Sequence, residues 1–457
     1  MYAHNNPGPP MQITARTALL PDGWASDVRI TVDGGRISGI ETGVAGGEGI
    51  LLAAPVNLHS HTFQRAMAGL TERRTAGQDS FWTWRALMYR FLDQLSPDDV
   101  QAIAAQVFVE MAEAGFAAVA EFHYLHHAVG GVRYADPAEM SVRIVAAARE
   151  AGLGLTLLPV LYERGGCDGR ALTAGQLRFG NDVGQFQTLW DHAAKAMALL
   201  PPDSTIGVAP HSLRAVSPAG LGAVVGLAPQ APLHLHLAEQ VAEVDEVLAH
   251  TGARPTEWLI ANADVTPRWC LIHATQMTAT EVAGLAATGA VAGLCPITEG
   301  NLGDGIFDGP GWLAAEGRFG VGSDSNVRVS LREELQMLEY SQRLQHRGRA
   351  MFATADRSTG RVLHDGVCAG GAQAAGRQAG AIRLGDWADL MRLDDQGDLA
   401  SRNGDAILDT FIFAGHDRMV TDLWSAGRHI VQGGAHVARD RVRTRFQQVM
   451  TRLGDAL

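Results

Sequence analysis

With 457 residues, 46% of them hydrophobic and 19% charged, the chain has the composition of a globular protein too long for one ordinary core. The balance of 49 acidic against 37 basic residues gives a net charge of -12, which excludes nucleic acid as the expected partner. No apolar run reaches the ~18–20 residues of a membrane span, so no membrane partner is expected, and four scattered cysteines without a CxxC pair fit a reducing cytoplasm.

Residues 1–10 carry neither a basic n-region nor an apolar h-region and read as a flexible leader rather than a signal peptide. Residues 11–52 contain Val28-Arg-Ile-Thr-Val32, an Asp33-Gly-Gly turn and Arg36-Ile-Ser-Gly-Ile40, a hairpin signature. Short apolar runs then recur: Leu51–Leu58, Phe116–Phe122, Leu153–Leu161, Thr205–Ala209, Pro232–Leu237, Trp269–Ile272, Ala290–Leu294 and Phe319–Gly322. Alanine-rich stretches of helical period separate them, among them Pro97–Ala114, Asp136–Ala151, Gln240–Ala249 and Thr278–Ala287. Strand alternating with helix eight times predicts an α/β fold, a (β/α)8 TIM barrel over 53–380. A doubly wound sheet would alternate in the same way, but no Gly-rich phosphate loop follows the first strand. Residues 381–445 return to short strand segments, so the two chain ends are expected to form a small β-sandwich domain, with 446–457 a tail or helix.

Chemically suggestive residues fall just after the apolar runs, where barrel enzymes carry their active sites. His59-x-His61 puts two imidazoles on one face of a strand, close enough to share a cation of borderline softness such as zinc. The fifth run ends His234-Leu-His236-Leu-Ala-Glu239, the sixth Ile272-His273, and the eighth Gly322-Ser-Asp324. His236 lies nearer the strand mouth than His234 and is the expected third ligand; His234 reads as a hydrogen-bonded core histidine one layer deeper. Asp324 is the fourth ligand, leaving one position for water. Each residue alone has a plainer reading, Asp324 for instance as a cap for the helix starting near Ser330. Their joint placement at successive strand ends favours one metal site.

Together, His59-x-His61, His236, His273 and Asp324 resemble the amidohydrolase superfamily, over essentially residues 12–445. The spacing His236-x-x-Glu239 is similar to its mononuclear deaminase branch, where the glutamate shuttles protons. The chain's single lysine, Lys195, lies mid-helix, away from any position where it could bridge two metals. Asn57-Leu-His-Ser-His-Thr-Phe-Gln-Arg-Ala-Met-Ala-Gly-Leu70, Phe81-Trp-Thr-Trp-Arg85, Glu121-Phe-His-Tyr124-Leu-His and Ala209-Pro-His211-Ser-Leu-Arg214 narrow the resemblance to the formimidoylglutamate deiminase family of histidine degradation. Thr62 stands where that family usually has alanine.

The resemblance implies one zinc ion per chain, held by His59, His61, His236 and Asp324. It also implies hydrolysis of N-formimino-L-glutamate to N-formyl-L-glutamate and ammonia, with Glu239, His273 and Asp324 catalytic, and a homodimer. A substrate with two carboxylates needs donors, for which Gln64, Arg85, Tyr124, His211 and Arg214 are the candidates. The competing readings are a deaminase of the same branch acting on a purine, pterin or triazine ring, and a barrel without activity serving assembly. A flat ring would call for an aromatic slot rather than two arginines, and the intact ligand set speaks against loss of activity.

Overall fold

Burial on both faces is the mark of most strands in the centre of this protein, whose computed structural model describes residues 10–70, 72 and 88–454. Parallel strands covered on both faces lose the alternation of an exposed sheet and read as continuous apolar runs. Those runs form β5 (Val56–Ser60), β6 (Ala118–His123), β7 (Gly154–Leu161), β8 (Thr205–Ile206), β9 (Ala209–Pro210), β10 (Leu233–Leu237), β11 (Trp269–His273), β12 (Val291–Leu294) and β13 (Arg318–Val321).

β5, β6, β7 and β8 pair in that order, with β9 on β7, and β10 to β13 pair in sequence, all parallel. Isolated parallel bridges join the two groups: Val208 with Leu233 and Ser212 with His236 on one side, Ser60 with Asp324 on the other. The strands thereby run round a (β/α)8 ring. The intervening helices begin where the sequence caps them. Ser96 and Asp99 form a reciprocal capping box on the helix Pro97–Glu113, and Thr278 with Glu281 does the same for Ala279–Ala287.

Outside the ring lie β1 (Met11–Leu20), β2 (Gly23–Asp33), β3 (Arg36–Glu41) and β4 (Ile50–Ala53), then β14 (Leu390–Leu393), β15 (Val420–Ser425), β16 (Arg428–Gln432) and β17 (Ala435–His436). They make one eight-stranded sheet, ordered β17-β16-β15-β14-β4-β1-β2-β3, in which the chain ends meet at β4 and β14. The apolar run Leu51–Leu58, read as one strand, is thus two strands in different sheets. The break falls at Ala54-Pro55, where proline has no N–H for a ladder; the Ala54 amide bonds Asp389 and the Pro55 carbonyl accepts from Ala117. The leader expected at the N-terminus lies, to residue 9, outside the described residues.

A buried charge network ties the sheet to the barrel. Arg377 Nε donates to Asp389 at 2.6 Å and its Nη2 to Asp203 at 2.9 Å, while Arg428 reaches both Asp203 oxygens at 2.7 Å. Burial alone would raise the Asp203 carboxyl, but the two guanidiniums outweigh it and hold it below its ordinary range. A depressed folded-state value contributes stability that is complete above the unfolded value and lost as pH falls through the folded one, so acid weakens this junction below about pH 4. Arg377→Met, which takes the guanidinium from buried Asp389 while Asp203 keeps Arg428, is expected to lower unfolding free energy by about 3–5 kcal/mol in denaturant titrations at neutral pH.

Candidate metal centre

Two backbone hydrogen bonds set the register of the ligands. The Asp324 amide donates to the His59 carbonyl at 3.0 Å, and the His61 amide to the Asp324 carbonyl at 2.9 Å. The end of β5 is thereby fastened to the turn after β13. His59 and His61 leave the same face, and the Nε2 atoms of both lie near Asp324 Oδ1, at 3.3 and 3.2 Å. His236, near the end of β10, brings its Nε2 to 3.2 Å from His59 Nε2. All four side chains are buried, and one ligand atom from each lies within 4.8 Å of the others.

The outer hydrogen bonds decide which ring nitrogens face inward. A carbonyl can only accept, so His61 Nδ1–H donates to Phe122 and His236 Nδ1–H to His211, at 2.9 and 3.1 Å. Each Nε2 is left with its lone pair toward the centre. Burial holds His59 and His236 neutral, pushing His59 down to about 3 and His236 well below the ordinary histidine value. Burial by itself would raise the Asp324 carboxyl, but the His59 and His61 imidazoles beside it outweigh that cost and hold it well below its usual range. His236 turns its Nε2 lone pair toward His59 Nε2 at 3.2 Å, His59 Nδ1 has no hydrogen-bond partner, and three imidazoles converge on one carboxylate, a donor set that fits a divalent ion. His234 takes no part; its Nε2 bonds the Ala374 carbonyl at 2.8 Å.

Beside this group, the Glu239 carboxyl is pushed up to about 7, chiefly by burial, with His273 Nε2 3.8 Å from its Oε1. Glu299 accepts at 3.3 Å from His273 Nδ1 and is itself held by the Cys295 amide at 2.9 Å. Asp304, pushed up to about 9 by burial and then by the Glu239 charge, accepts from Gln240. Neither Glu299 nor Asp304 was singled out from sequence, although Glu299 does follow the end of β12. Ala238, His273, Ala274, Asp324 and Asn326 all take left-handed backbone angles, with φ of 51°, 69°, 50°, 44° and 55°. Non-glycine residues avoid this region, and its concentration here marks backbone strain at the strand mouths.

The cleft above the group is lined by His61, His236, Glu239, His273 and Asp324 together with Gln64, Tyr124, Tyr162, His211 and Arg214. Gln64 donates to the Tyr124 hydroxyl at 2.8 Å. Arg214 is buried among Tyr162, Glu243, Glu239 and Glu246, whose charges outweigh desolvation and raise its guanidinium. Arg85 lies outside the described residues. Thr62 has a partner: its amide and hydroxyl both donate to Glu121 Oε1, at 2.8 and 2.7 Å, directly behind His61. Thr62→Ala is expected to keep its metal content and to lower stability by about 1 kcal/mol, seen as a shift in the denaturation midpoint.

A barrel of parallel strands with three imidazoles and an aspartate at its mouth is the architecture of a metal-dependent hydrolase. The "Amidohydrolase family" model matches residues 50–430, and the chain belongs to that family. Residues 11–49 match the model for the N-terminal domain of formimidoylglutamate deiminase HutF. The formimidoylglutamate deiminase of Pseudomonas aeruginosa is 47% identical over 97% of this chain and 99% of its own. A crystal structure of an amidohydrolase from Brucella melitensis superposes with a TM-score of 0.93 at 49% identity, covering 97% of this chain and 99% of that one. An adenosine deaminase from Xanthomonas campestris with bound zinc shares the fold, with a TM-score of 0.82 at 19% identity over 97% of this chain and 98% of the other.

Proposed function

We propose that the protein hydrolyses N-formimino-L-glutamate to N-formyl-L-glutamate and ammonia, as a zinc enzyme of histidine degradation. The supporting observation is that one cleft is lined both by His61, His236 and Asp324 of the four-residue group with Glu239 and His273, and by the donors Gln64, Tyr124, His211 and Arg214. The near full-length likeness to a formimidoylglutamate deiminase points the same way. The nitrogen-rich donor set with one carboxylate suits zinc. When bound, the ion supplies Lewis acidity, which makes water nucleophilic at neutral pH.

The residues of the chain do the rest. Arg214, helped by Tyr124, His211, Gln64 and Arg85, binds the two glutamate carboxylates and directs the formimino carbon toward the metal ligands. Asp324 orients the attacking water, and His273, steadied through Nδ1 by Glu299, hydrogen-bonds to it. Water adds to the formimino carbon, and Glu239 delivers a proton to the terminal nitrogen. The bond to that nitrogen breaks, ammonia leaves, and the other nitrogen stays with glutamate as a formyl amide. Four buried, unbridged cysteines support a cytoplasmic setting. Among the described residues no helix is long and apolar enough to cross a membrane. We take the working unit to be a homodimer, checked by sedimentation at assay concentration.

Ammonia release from N-formimino-L-glutamate, guanine and adenosine, with metal content measured on the same sample, tests the assignment. Turnover confined to the first substrate, with one zinc per chain, is expected. Turnover of a ring substrate instead would move the protein to another deaminase class. Formamide and free glutamate as products would show that the wrong C–N bond had been assigned.

A further inference from the structure

We propose a second, inhibitory cation site next to the first, formed by His273, Cys295 and Asp324, with Glu239 at its edge. It rests on the reading of the first site, since Asp324 belongs to both. One ligand atom from each of the three residues lies within 4.8 Å of the others, and all three side chains are buried. In a tetrahedral zinc site with bonds of about 2.0–2.3 Å, neighbouring ligand atoms sit about 3.3–3.6 Å apart. A cation therefore needs a contraction of at most about 1.2–1.5 Å from the 4.8 Å bound, within the reach of side-chain rotation.

The surrounding contacts leave the right atoms facing inward. Asp324 Oδ1 is the oxygen that meets His59 and His61, so Oδ2 remains for a second ion. The Glu299 carboxylate holds His273 at Nδ1, leaving Nε2 as the donor, and Glu239 Oε1 lies 3.8 Å from that nitrogen. His273 and Asp324 line the cleft and give the cation its route in, while Cys295, fully buried at the end of β12, forms the back of the site. Nitrogen, sulfur and carboxylate together suit zinc, cobalt(II) or cadmium rather than magnesium or calcium. Binding takes the thiolate of Cys295, and its proton passes to water. The cation engages His273 and Asp324 and abuts Glu239, the groups that handle water and proton in the proposed reaction. Excess zinc consequently stops turnover while the first ion stays in place.

The test is a titration of the one-zinc protein with cobalt(II) chloride, followed by absorption and by total metal content. A second equivalent that brings a thiolate-to-cobalt charge-transfer band in the near ultraviolet is expected, with ammonia release from N-formimino-L-glutamate falling in step. Loss of a group that merely steadies a metal ligand costs roughly 10–100-fold in affinity, so removing a ligand costs at least about tenfold. Cys295→Ser is expected to abolish the band and raise the inhibiting zinc concentration at least about tenfold. Cys295→Ala serves the same purpose should the serine variant fail to fold, and the wild-type titration decides sulfur ligation without either. No second equivalent, a second equivalent without the band, or an unchanged band in the variants would overturn the proposal. The metal titration reads the site without substrate, so a protein that takes the second ion but ignores N-formimino-L-glutamate would sink only the functional reading.

Discussion

Glu239→Gln is expected to retain its metal content and to lose 10²–10⁴-fold in kcat, the usual worth of a positioned acid or base. Glutamine preserves the shape of the side chain and cannot deliver a proton. The residue is buried beside the candidate metal ligands, its carboxyl is pushed up to about 7, and His273 lies at ion-pair range, at 3.8 Å. A carboxyl titrating near neutrality can hold a proton for a leaving amine and give it up on demand. Metal content, measured beside kcat, separates loss of the proton donor from loss of the ion. Near-normal turnover in a metal-replete variant would remove Glu239 from the mechanism.

Arg214→Met is expected to lower kcat/KM for N-formimino-L-glutamate by about 10²-fold, since truncating one partner of a buried charged pair costs about 2–5 kcal/mol. The same variant should lose far less on a neutral amidine of similar size, which has no carboxylate for the guanidinium to meet. Comparing the two substrates isolates recognition from folding. Arg214 is buried at the wall of the cleft beside Glu243 and Glu239, so equal losses on both substrates would assign it to holding those carboxylates rather than the substrate's.

Much of this arrangement can be read in the sequence because parallel barrel strands, buried on both faces, leave uninterrupted apolar runs. A polar residue directly after such a run must lie at the strand mouth. That single rule brought out His59, His61, His236 and Asp324, whose ligand atoms converge within 4.8 Å. It separated His236 from His234 as well, since two residues along a strand is one layer of barrel depth. The rule says nothing about which sheet a run joins, so Leu51–Leu58 looked like one strand where Pro55 divides two. Glu299 and Asp304 escaped notice for a different reason. They reach the site from the segment after β12, and only the pairing of β11 with β12 brings that segment alongside His273. The hydroxyl of Thr62 was equally silent, because its partner Glu121 comes from the neighbouring strand β6.

The joint between β4 and β14 constrains how the protein is made. Leu390 pairs with Ala53 across the whole length of the barrel segment, so β4 emerges from the ribosome long before its partner exists. Until then one edge of β4 offers unmatched amides and carbonyls, a template on which nascent chains can associate. Synthesis therefore runs ahead of assembly. The barrel can close on its own contacts, but the outer sheet must wait for the last part of the chain. A chain halted before Leu390 would keep the side chains of the candidate site and still present a sticky edge, making it a substrate for chaperones and proteases rather than a working enzyme.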